Sequence, residues 1–144
     1  MNDGRSVLIA GILDVTDYLD AFALASPWLH FMNFAFSTGS AAIGLPNDAA
    51  VGLAFGTMLT DRIYLIAGFT DTNGDPSDPF EGFDSFFSDN EYFKSIEIGY
   101  TTSQERIIFD NYHITLWQKD AQTAANIPSG WGINFSASRY LNEN

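Results

Sequence analysis

Between Ala50 and Asp71 apolar side chains recur at every second position. Val51, Leu53, Phe55 and Leu59 alternate with Ala50, Gly52, Ala54 and Gly56, and Ile63, Leu65, Ala67 and Phe69 alternate with Arg62, Tyr64, Ile66, Gly68 and Thr70. A period of two predicts strands, and the stretch between them predicts a hairpin. With Thr60, Asp61 and Arg62 as the loop, Leu59 stands opposite Ile63, and Thr57, Phe55 and Leu53 stand opposite Leu65, Ala67 and Phe69. Both apolar rows then share one face. In a soluble sandwich that face needs a second sheet to cover it, and lipid would serve equally.

The same alternation, followed along the chain, predicts about six strands. The first runs over Arg5 to Asp17, with Val7, Ile9, Leu13 and Val15 against Ser6, Ala10, Asp14 and Thr16, and with Leu8 and Ile12 spoiling the polar row. Ser26 before Pro27 is a helix start, so WLHFMNFAF predicts a short helix inside the first long loop, ending at Ser37. After the central hairpin comes an acidic loop: eight of the chain's 18 acids lie between Asp71 and Glu97. Asp71, Asn73 and Asp75 have the spacing of a calcium loop. Pro76 stands where its glycine belongs and Gly82 where its bidentate acid belongs, so a solvated loop without metal is expected.

Tyr92 to Thr101 places Phe93, Ser95, Glu97 and Gly99 on one face. A turn at Ser103 to Glu105 leads into Arg106 to Gln118, with Ile108, Tyr112, Ile114 and Leu116 outward and Asn111, His113, Thr115 and Trp117 inward. Asp110 then falls on the apolar face, a conflict that a bulge or a shorter turn would remove. Lys119 to Ser129 is a polar loop. Gly130 to Leu141 closes the series, Trp131, Ile133, Phe135 and Ala137 against Asn134, Ser136 and Ser138.

Composition narrows the function classes. Six bases against 18 acids, a net charge of −12, exclude nucleic acid as a partner. The absence of cysteine separates no compartments. Ala21 to Asn47 carries no formal charge, but Pro27, His30, Asn33 and the Ser37 to Ser40 run interrupt it, so no transmembrane helix is expected. The first residues, MNDGRSVLIAGILD, predict a strand rather than a signal peptide. Neither His30 nor His113 sits in a nucleophile setting, so no enzyme is expected.

Connections that alternate long, short, long, short, long match outer-membrane barrels, whose long loops and tight turns lie at opposite ends. Arg5, Arg62, Arg106 and Arg139 fall at the tight-turn end, and Lys94, Lys119 and the acid cluster at the other. Tyr64, Tyr92, Tyr100, Trp117, Trp131 and Tyr140 are candidates for interfacial girdles. The expected fold class is all-β, an antiparallel up-and-down transmembrane barrel segment; a soluble sugar-binding or adhesive β-sandwich is the alternative. On the inward rows Asp14, Glu97, Asn111, His113, Trp117 and Asn134 are the candidate pore-lining or substrate residues. Glu97 is expected opposite Asn111, with Ser95 and His113 completing a polar patch and Trp117 stacking on a pyranose ring.

The stretches GILDVTDYLDAFALA, FMNFAF, GLAFG, DRIYLIAGFTDTNG, EYFKSIEIGY, NYHITLWQKDA and GWGINFSASRY resemble, in this order, the carbohydrate-selective porin family of OprB type. A basic residue usual in that family after the glycine is missing here, where Ile12 follows Gly11. The resemblance implies a Gram-negative outer-membrane barrel passing small neutral sugars by diffusion, with outer-membrane lipid around it and no cofactor. Homo-oligomers of the intact barrel are compatible with it. Six strands are too few to enclose an aqueous channel, so the chain is expected to supply roughly a third of a barrel.

Overall fold

The computed structural model describes residues 4–22, 24–25, 42–46, 49–75, 77 and 81–141. Six strands form one antiparallel sheet in sequence order: β1 (Ser6–Leu13), β2 (Ala50–Met58), β3 (Ile63–Asp71), β4 (Tyr92–Thr101), β5 (Asn111–Lys119) and β6 (Gly130–Ser138). One short helix, α1 (Glu81–Ser88), lies between β3 and β4. The sheet is open, with β1 and β6 as its edges. The helix expected over Ser26 to Phe36 lies outside the described residues.

The central hairpin has the register its alternation predicts, Thr57 opposite Leu65, Phe55 opposite Ala67 and Leu53 opposite Phe69. The Thr60 hydroxyl closes the turn by accepting from the Arg62 and Ile63 amides.

Three expectations are corrected. First, β1 ends at Leu13, because the Asp14 carboxylate accepts from the Thr16 amide at 2.9 Å and the Thr16 hydroxyl at 2.7 Å, turning Val15–Asp17 into a single 3-10 turn. The faces of β1 are also reversed. Leu8, Ala10 and Ile12 pair with Phe55, Leu53 and Val51 on the apolar face, while Val7 and Ile9 pair with Gly56 and Ala54 on the other. Apolar residues at both parities leave a strand's face undetermined until its neighbour fixes it.

Second, β5 begins at Asn111, and residues 102–110 form a turn around a 3-10 segment, Gln104–Arg106. Glu97 therefore pairs with Thr115 instead of Asn111, a slip of four residues that keeps every side chain on its expected face. Asp110 leaves the apolar face without a bulge: its carboxylate takes Arg106 Nε at 2.5 Å and the Tyr140 amide at 2.9 Å. This turn and the connection 120–129 are nearly equal in length, so the strict long and short alternation holds only for the first three connections.

Third, the acidic stretch contains α1. Tyr92 Oη donates to the Phe86 carbonyl at 2.7 Å, and Asn90, at φ 55°, ends the helix in the left-handed region that asparagine tolerates.

The two faces of the sheet differ in kind. On the outer face Leu53, Ile96, Ile98, Ile114, Leu116, Ile133 and Phe135 are exposed. Among the described residues 14 polar or charged residues are buried against ten hydrophobic ones, so the usual arrangement of a water-soluble domain is inverted. What apolar core exists, Val15, Leu19, Ile43 and Phe93 with Tyr18, Leu45 and Trp117, lies on the inner face beneath the segments that cross it.

Candidate functional site

The inner face is built from parallel rows of paired residues. Tyr64, Gly99, His113 and Ser136 form one row, Ile66, Glu97, Thr115 and Asn134 the next, and Gly68, Ser95, Trp117 and Gly132 the third. Across them runs the segment after β1. Its Asp20 adopts φ 50°, a conformation aspartate accepts at small cost, and this aims both its amide and its carboxylate at the wall.

Glu97 is the centre of the resulting network. One carboxylate oxygen accepts from the Asp20 amide at 2.9 Å and from the Thr115 hydroxyl at 2.8 Å, and the other accepts from Tyr64 Oη at 3.2 Å. His113 stands between two acids, Nε2 lying 2.6 Å from Asp20 Oδ1 and 3.7 Å from Glu97 Oε2. Its Nδ1 is 2.9 Å from Asn111 Oδ1, and the Asn111 amide group donates to the Ala21 carbonyl at 3.2 Å. Glu97, Asn111, His113 and Thr115 are each at most 1% exposed. Buried carboxyl groups persist only where partners converge on them, and here a backbone amide, two hydroxyls and an imidazole do so.

Two glycines make room for this covering. A Cβ at Gly68 would collide with the Tyr18 ring and one at Gly99 with the Tyr64 ring, so both tyrosines lie flat on bare backbone. Burial pushes the Tyr18 hydroxyl up to about 12, the neighbouring Ser95 hydroxyl acting in the opposite sense. Trp117 lies between glycines as well: its ring abuts Gly44 and Gly132 and stacks on Phe93 at 6.4 Å and 17°.

The structure puts Glu97, Asn111 and His113 on one face as expected, but with Thr115 rather than Asn111 opposite Glu97 and with His113 linking the other two, under a covering segment the spacing does not predict. Ser95 and Trp117 lie one row away; the Trp117 ring packs on protein, so the face expected to receive a sugar is occupied. Asn134 is half-buried on the inner row of β6, opposite Thr115. Asp14 is exposed at the rim, outside the strand, and caps the 3-10 turn. Tyr64 and Trp117 lie on the polar face and so do not fit the girdle expected of them, while Tyr92, Tyr100 and Trp131 lie on the outer rows. Asp20, Tyr64 and Thr115 are the partners that sequence reading missed. Tyr64 carried a signal, since it sits on the row opposite to Ile63 and Leu65. Asp20 carried none, being 77 and 93 residues from Glu97 and His113.

Among the described residues these features define an all-β architecture, one up-and-down antiparallel sheet that is apolar on one face and polar on the other. No protein-family profile, curated protein or solved structure matches this chain.

Proposed function

We propose that the chain forms part of a porin-type outer-membrane β-barrel that passes small neutral carbohydrates. The observation that carries this reading is the continuous apolar outer face, on which large aliphatic side chains of all six strands are more than a third exposed. Such a patch far exceeds what soluble monomers present as one surface, and a bilayer's hydrocarbon band would cover it. Connectivity supports it too. Arg5, Arg62, Arg106 and Arg139 flank the strands at one end, the end where β2 and β3 are joined by a tight turn. The soluble sandwich is less well supported, because among the described residues no second sheet covers the outer face.

The test is refolding into detergent and lipid. The expected results are a folded state that depends on micelles or vesicles, a gel mobility that changes on heating, and single-channel steps blocked by sugar when the barrel is complete. A monomer that folds in plain buffer without amphiphile overturns the reading.

A further inference from the structure

The helix α1 sits on the outer side of the sheet. Phe86 packs on Phe69 and Tyr92, with ring centroids 5.8 and 5.3 Å apart, and both partners belong to the apolar outer rows. Helical spacing puts Phe83, Phe86 and Phe87 on one stripe and Asp84, Ser85 and Ser88 on another. The two stripes are oriented along the strands. Phe86 contacts Phe69, nearer the middle of β3, whereas Ser85 donates to Asp71, the last residue of that strand. The phenylalanine stripe therefore faces the apolar band and the polar stripe faces the rim. Phe87 is 76% exposed and Phe83 48%, with no described protein surface over them.

We propose that α1 is an interfacial helix that lies on the bilayer, with Phe83 and Phe87 inserted at the boundary of headgroups and acyl chains. This rests on the outer-membrane reading. Its occupant is lipid rather than a second protein because the stripe is continuous with the apolar band of the sheet, and because an amphipathic helix seated at a strand end lies at the depth where aromatic rings partition. Asp84 and Asp89 stay exposed on the polar side. The short carbonyl anchor from Tyr92 and the Ser85 to Asp71 bond fix the helix to the sheet, so its depth is set by the strands.

The chain has no cysteine, so single-cysteine labelling is clean. Phe87→Cys and, on the outer row of β6, Trp131→Cys, each placed in a barrel whose two sheet edges are paired, would carry an environment-sensitive fluorophore and be refolded into phosphatidylcholine vesicles. The vesicles would contain nitroxide-labelled lipid with the quencher near the headgroup or near the chain end. Label at 87 should be quenched at least about twofold more by the shallow nitroxide than by the deep one, as expected about 5–10 Å into the interface. Label at 131 should be quenched as well. Quenching at 131 but not at 87 overturns the interfacial helix alone. Quenching at neither, in protein with native circular dichroism, overturns the outer-membrane reading and the helix proposal with it. Phe83→Cys repeats the measurement at a second position of the stripe, and should report the same depth.

Discussion

Glu97 offers the sharpest test of the inner-face network. Three donors converge on it, the Asp20 amide, the Thr115 hydroxyl and Tyr64 Oη. Glu97→Ala leaves all of them facing a void in a water-poor site, and an unsatisfied buried group costs roughly 1–3 kcal/mol. Two of the donors are hydroxyls that can turn toward other acceptors, so the loss should be about 3–5 kcal/mol rather than the full sum. Glu97→Gln behaves differently. Its carbonyl oxygen can take the Asp20 and Thr115 side, and its amide can donate to Tyr64 Oη, which accepts as readily as it donates. What disappears is the charge, and replacing charge-assisted bonds by neutral ones should cost about 1–2 kcal/mol. The assay is urea unfolding of the refolded protein in detergent, with amide exchange at Asp20 as a local readout. Exchange at Asp20 should accelerate strongly in the alanine variant and weakly in the glutamine one. If both variants unfold within about 0.5 kcal/mol of the parent and the Asp20 amide exchanges at its original rate, the network does not hold the segment to the wall.

Leu19→Ala should cost about 2–5 kcal/mol in the same unfolding assay, since Leu19 is wholly buried against Val15, Ile43 and Phe93; a cost below about 1 kcal/mol would mean that the site collapses or stands open to water. Gly68→Ala should destabilise by about 1–3 kcal/mol by pushing Tyr18 off the sheet, and combining it with Tyr18→Ala should recover part of that loss, whereas strict additivity would show that the two do not touch. The Thr123 hydroxyl first, then the Asn73 side chain and the Thr123 amide, hold the Glu91 carboxyl below its usual range. A depressed acid stabilises above its ordinary value and loses that contribution as pH falls through the lowered one. Protection factors in residues 120–129, that is, exchange corrected for the base-catalysed intrinsic rate at each pH, should therefore fall on acidification, and Glu91→Gln should abolish that fall. A parent protein whose loop protection factors do not change with pH would refute it.

The parts legible in the sequence were those whose determinants are local. Alternation over Ala50 to Asp71 and a turn with Thr60 as its capping side chain specify the central hairpin without reference to the rest of the chain. The faces of β4 and β5 were legible for the same reason, and they survive the register error because the slip is an even number of residues. The register itself depended on recognising that Arg106 and Asp110, four apart, close a helical turn; the sign was in view as an acid stranded on an apolar row. In β1 the alternation was ambiguous, and pairing with β2 decided it. The helix α1 was obscured by counting acids, although three phenylalanines at helical spacing stood among them. The inward segment could not be read, because what fixes Asp20 is a wall assembled from strands far along the chain.

The open edges bear directly on the membrane reading. β1 and β6 each pair on one side only, so a row of backbone donors and acceptors on each has no partner within the sheet. In hydrocarbon every such unsatisfied group costs several kcal/mol, so a bilayer that covers the outer face also requires that both edges be paired. The count of strands makes this feasible. Because six is even, β1 starts and β6 finishes at the tight-turn end, and the two edges run in opposite directions. Any even number of further strands inserted between them, from whatever source, preserves the up-and-down order and returns to β1 antiparallel. In water the same two edges would be bare templates for pairing with other chains, beside a face that already favours association. Under the proposed outer-membrane reading, a closed sheet surrounded by lipid would satisfy both the apolar face and the open edges, and the inward segment on Glu97 and His113 would then occupy its lumen.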